Sequence, residues 1–164
     1  MSQKDAPIKA EVVNEQTNLP ATQQQPSRQQ MMQGELTEMC GDGMPAIHNF
    51  KGTGVELWKF TSKATGPDVL TADEFPAEGI DLQWIYCHAV EVTQPTGGEV
   101  VKAYRTVLFD TKGNAYGFVS DGVFLSAVGI FKAFNFDEIK PPLKVKLGSK
   151  RTRSSYKVLM LVPA

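Results

Sequence analysis

The chain has 164 residues, room for one ordinary domain and a tail. It is 41% hydrophobic and 21% charged, near the average for a soluble globular protein, and no stretch approaches 18 consecutive apolar residues, so a membrane span is excluded. The formal net charge of -1 speaks against a polyanion partner only as an average, because the charge is unevenly placed. Cys40 and Cys87 cannot make a disulfide framework, and the N-terminus lacks the apolar run of a secretory signal. The expected compartment is a reducing cytoplasm.

Residues 1–49 contain no aromatic residue and are rich in Gln, Pro, Thr and Met. Such a segment cannot bury enough apolar area to offset its chain entropy, so it reads as a flexible, disordered arm ending near Pro45–Phe50. The arm fits an inert solubilising role as well as an interaction role. All fifteen aromatic residues lie from Phe50 onward, and residues 50–164 are enough for a single core.

Val55–Thr61 reads as a short strand. Residues 62–79 read as a connection, with a helical turn at Ala72–Phe75. Residues 80–93 alternate in period two, with Ile80, Leu82, Trp84, Tyr86, His88, Val90 and Val92 on one side, and predict a long strand. Gln94–Gly98 is a loop by composition. Val100–Phe109, the turn Asp110–Asn114 and Ala115–Val119 form a hairpin, with Gly113 available for a positive φ. The period then changes. Val123, Ala127, Ile130 and Phe134 share one face of a helix that Ser120 is placed to cap and that must stop before Pro141-Pro142. Alternating Leu143–Leu147 and a segment near Tyr156–Val162 are the last strands.

The predicted class is therefore mainly β: a five-stranded, OB-fold-like antiparallel barrel with one helix between its third and fourth strands. An α+β sheet with one covering helix is the competing arrangement.

Residues 139–164 hold Lys140, Lys144, Lys146, Lys150, Arg151, Arg153 and Lys157 and no Asp or Glu. A basic C-terminal hairpin on an otherwise acidic chain is a localised field. Lys144 and Lys146 alone would fit protection of a sheet edge. Lys150, Arg151 and Arg153 exceed that need and point to a polyanion site. Single strands are held by a basic groove plus rings on which bases stack. Trp84, Tyr86, Tyr104, Tyr116, Phe118 and Tyr156 fall in the predicted strands and are the candidate rings, each with half-buried packing as its ordinary alternative. Lys102 shares a parity with Tyr104, and Arg105 lies on the other. Phe109, Phe124, Phe131 and Phe134 are assigned to the core.

Other chemistries fail on spacing. Asp110–Ala115 lacks the oxygen ligand and Gly of a calcium loop. Gly117–Gly122 is not GxSxG. Cys40, Cys87, His48 and His88 lack the paired spacing of zinc sites. Gly41-Asp42-Gly43 precedes no strand–helix unit, and no carboxylate pair is placed for acid–base work. No enzyme, metal or cofactor is expected.

One stretch carries a resemblance. From Arg105 to Gly122 the chain reads Arg-x-x-Leu-x-Asp-x-x-Gly-x-x-Tyr-x-x-x-Ser-x-Gly, followed by a helix and a basic hairpin. With Glu56-Leu57-Trp58 upstream and Pro141–Val145 downstream, it resembles the small single-stranded DNA-binding proteins of tailed phages and related mobile elements, over roughly residues 50–162. The resemblance implies an OB-like domain that coats displaced strands without sequence preference, in the host cytoplasm if the chain is phage-encoded. Tyr104, Arg105, Tyr116 and the basic hairpin would then touch DNA, while Asp110, Gly113, Ser120 and Gly122 would be turn and cap residues. The arm here is N-terminal, and self-association or recruitment of replication proteins is its implied use.

The leading expectation is a single-stranded DNA-binding protein of replication or recombination. The alternative is a protein-interaction or virion-associated module whose basic hairpin meets an acidic protein. A double-strand regulator fits less well, because the one good helix carries only Lys132.

Overall fold

The computed structural model describes residues 46–151 and 157–164. The arm as far as residue 45, and Arg153 and Tyr156, lie outside the described residues. Within them the chain is mainly β: six antiparallel strands in one open sheet, with two α-helices. The elements are β1 (Ala46–His48), α1 (Val55–Thr65), a 3-10 turn (Ala72–Glu74), β2 (Ile80–Thr93), β3 (Val100–Asp110), β4 (Ala115–Val119), α2 (Asp121–Ala133), β5 (Leu143–Arg151) and β6 (Lys157–Pro163). The sheet order is β4-β3-β2-β5-β6. Long β2 pairs along one side with β3, and along the other first with β5 at Ile80–Leu82 and then with β1 at Tyr86–His88.

Three sequence expectations are corrected. Val55–Thr61 is helix, not strand: Leu57, Phe60 and Ala64 lie at spacings of three and four, and Phe60 and Ala64 bury against the sheet. Ala46–His48, assigned by composition to the arm, is a strand on β2, and Ile47 is core. The even parity of residues 80–93 does not stay on one face. The ladder shifts between Leu82 and Trp84, so Ile80 and Leu82 share the inner face with Ile85 and Cys87, while Trp84 and Tyr86 join the outer cluster.

Each face of the sheet has its own helix. On the inner face α2 buries Val123, Phe124, Ala127, Val128 and Phe131 against Leu82, Ile85, Leu108, Tyr116, Phe118 and Val145. On the outer face α1 sets Phe60 and Ala64 on Tyr86, Val107, Phe109 and Ala115, and Lys63 donates to the Gly113 carbonyl in the β3–β4 turn. That turn is held by the buried carboxylate of Asp110, which accepts from the backbone N–H of Lys112 and Asn114 at 2.9 and 2.8 Å.

Both edges of the sheet are covered. Leu70 bridges beside β4, giving its N–H to Ala115 and accepting from Gly117, each at 2.8 Å. α2 lies along β6. Ser120 occupies the cap position, but its hydroxyl does not cap the helix; it donates to the Leu159 carbonyl at 3.2 Å. Ser126 accepts from the Leu161 N–H at 3.2 Å and donates to the Gly122 carbonyl at 2.7 Å. Two hydroxyls thus satisfy strand groups that would otherwise be open to another chain.

Candidate nucleic-acid interface

Strand parity decides which cations can act together. On β5, Val145 is buried on the inner face, whereas Lys144, Lys146 and Lys150 are exposed and fall on the opposite side. Lys144 stands opposite Asp81, Lys146 opposite Val162, and Lys150 opposite Val158. From Lys144 to Lys150 the row runs about 20 Å along the strand. Asp81 also faces outward, and the bulge makes Trp84 the next outward position on β2. The half-buried indole of Trp84 therefore lies on the same face as the row and packs edge-on against Phe50 at 5.2 Å between ring centres. Arg151 and Lys157 are a cross-strand pair at the hairpin end, both exposed. None of these five cations takes part in an ion pair among the described residues.

The other candidate rings are committed elsewhere. Tyr104, Tyr116 and Phe118 are buried in the inner core. Tyr104 stacks on Phe124 with centres 4.7 Å apart, and Phe75 meets Tyr116 and Phe118 edge-on at 5.1 and 5.7 Å. Tyr86 is buried under α1 among Phe60, His48 and His88. A ring enclosed on both faces has no face to offer a base, so these four are packing residues. Arg105 is half-buried over Gly117, where an added Cβ would stand 3.1 Å from its guanidinium, and it stands opposite His88 in the ladder. Lys102 is exposed on the far part of the β2–β3 ribbon, opposite Glu91. The structure thus sets Trp84, Lys144, Lys146 and Lys150 on one face, with Lys144 nearest Trp84 and the row running away from it along β5 toward Arg151 and Lys157, and does not bring Tyr104, Tyr116 or Phe118 to the surface.

One exposed ring was missed in the sequence. Trp58 is 66% exposed on the outward side of α1, one turn from Val55 at 65%. The strand assignment hid it, although the Leu57–Phe60–Ala64 spacing carried the signal that Trp58 points away from the buried side.

The residues weighed for zinc are separated by the sheet. Cys87 is buried on the inner face beside Thr106, whereas His48 and His88 lie on the outer face around Tyr86. Cys40 lies outside the described residues. No helix among the described residues is long and apolar enough to cross a membrane. No family model, curated protein or solved structure matches this chain.

Proposed function

We propose that the protein binds single-stranded DNA without sequence preference, in replication or recombination, through the outer face of β5 and β2. The observation that carries this reading is the row Lys144, Lys146, Lys150, on one face with Trp84 and outside any ion pair among the described residues. Phosphates are neutralised along the row, and a base stacks on the free part of the indole. The strand order also supports an OB-like ancestry. A three-strand meander β2-β3-β4, a helix, and a hairpin β5-β6 whose first strand pairs with β2 are its parts, with β6 turned toward the end of β4 through the Ser120–Leu159 bond. In this chain α1 covers part of the β3–β4 outer face, where OB domains commonly bind, and the Tyr86 part of β2, which leaves β5 and the Asp81–Trp84 end of β2 as the open track.

The test is anisotropy of a labelled, unstructured single strand together with tryptophan fluorescence in a Trp58→Phe variant, so that Trp84 alone reports. Binding at low salt with quenching, weakened by salt and lost on Lys144→Glu/Lys146→Glu/Lys150→Glu, is the expected result. No rise in anisotropy at low salt, in folded protein, ends the reading. The exposed Val55–Trp58 pair favours a second one, a protein-interaction module. A polypeptide partner held there survives excess oligonucleotide, and a Trp58→Ala variant releases it.

A further inference from the structure

Because α2 lies along the edge of β6, the helix and the hairpin leave a groove of about 440 Å³ between them. Its size is within the range of small-ligand sites. Leu125 and Ser126 contribute from the helix; Val158 and Met160 contribute from β6; Lys150 and Arg151 stand at the hairpin end. The wall is mostly apolar, and Leu125 is 39% exposed there. Gly122 lets the helix lie close against β6. A Cβ on Gly122 would come within 2.1 Å of the Leu159 carbonyl oxygen, so the helix can approach β6 only as glycine at that position.

We infer that this groove receives one unstacked base of the bound single strand, with its flanking phosphates on Lys150 and Arg151. The inference rests on the single-strand reading above and names a subsite for it. The row Lys144–Lys146–Lys150 ends at the groove, so a backbone following the row arrives at Lys150 with a base free to turn in. An occupant that is both anionic and flat-faced apolar matches two cations beside Leu125, Val158 and Met160. The groove has little means of telling bases apart. The Ser126 hydroxyl proton is already given to Gly122, and apart from Lys150 and Arg151, which face the phosphates in this reading, the side-chain contacts are apolar, with Met160 able to adjust its shape.

The test uses full-length protein labelled with ¹³C at its methionine methyls, with Met160 assigned from Met160→Leu. An unstructured single strand shifts the Met160 methyl by ring current, and a strand of equal length carrying abasic sites does not. Leu125→Asp, at an exposed helix position, removes the shift and lowers affinity about tenfold by setting a carboxylate against the phosphates. If anisotropy reports binding and Met160 does not respond to the base-bearing strand, the groove is not a base site, while the single-strand reading stands. If no strand binds, both fall together.

Discussion

Asn49 shows what a single side chain does in this fold. Its Oδ1 accepts from the Ile85 N–H at 2.7 Å, and its Nδ2 donates to the carbonyls of Gln83 and Asp137 at 3.4 and 3.2 Å. It thereby supplies β2 with partners beside the bulge, where no strand does. His48 and His88 pose the opposite case. Each is half-buried beside Tyr86, and each Nδ1 is buried without a hydrogen-bond partner among the described residues. Burial is the main cause that holds both imidazoles below their ordinary range, and Arg105 adds to it at His88. At His48 the neighbouring Phe50 backbone opposes the shift, and Lys51 adds to it. The unfolded chain therefore binds protons that the folded one refuses. Stability is full above the unfolded value of about 6.5 and declines as pH falls below it toward the depressed folded values. Urea midpoints at pH 7.5 and 5.5 should differ, with the lower at pH 5.5. A His48→Phe/His88→Phe variant should narrow the gap, and an equal gap in both proteins would contradict this account.

At the scale of elements, α1 separates the work of its two faces. Phe60 stacks on Phe50 with centres 4.5 Å apart and lies against Phe109 at 4.7 Å, whereas Trp58 faces away from the sheet. Phe60→Ala should cost about 3–5 kcal/mol through the lost burial and the cavity left behind. Trp58→Ala should stay within about 0.5 kcal/mol, because it removes a mostly exposed ring. Denaturant midpoints of the two variants check this, and similar losses would mean that α1 packs the other way round. The segment shows why local reading failed here. Over seven residues VELWKFT alternates as well as it turns, and only Ala64, four positions past Phe60, tips the pattern toward a helix. The hairpin Val100–Val119 and the strand at residues 80–93 were legible because β-branched and aromatic runs are bounded there by turn formers. Ser120 was legible as the residue before α2, but not as a partner of Leu159, which is 39 residues away.

Across the whole molecule, the proposed track makes salt the most direct probe. Neutralising three phosphates with Lys144, Lys146 and Lys150 gives a slope of log K against log salt of about -2 for a single strand. Lys150→Gln should reduce that slope by about 0.7 and weaken binding evenly across sequences. A slope unchanged by the substitution would remove Lys150 from the interface. The charge split behind this prediction stands in the sequence as an acid-free stretch from residue 139 to 164. Its division into a same-face row and a hairpin-end pair does not, since parity becomes spatial only once β5 is paired with β2 and β6.

By itself the sequence determined the order of strands from residue 80 onward, the single helix between the hairpins and the basic C-terminal stretch. These rest on local periods, turn residues and composition, which need no distant partner. Tertiary structure alone decided which rings are core. Tyr104, Tyr116 and Phe118 look the same in sequence as exposed strand aromatics until α2 covers them. The same holds for the bulge beyond Leu82, which moves Trp84 and Tyr86 to the face opposite Leu82 and so puts Trp84 on the same face as the lysines. A side chain's face depends on the cumulative register of its strand, and one extra residue inverts every position after it.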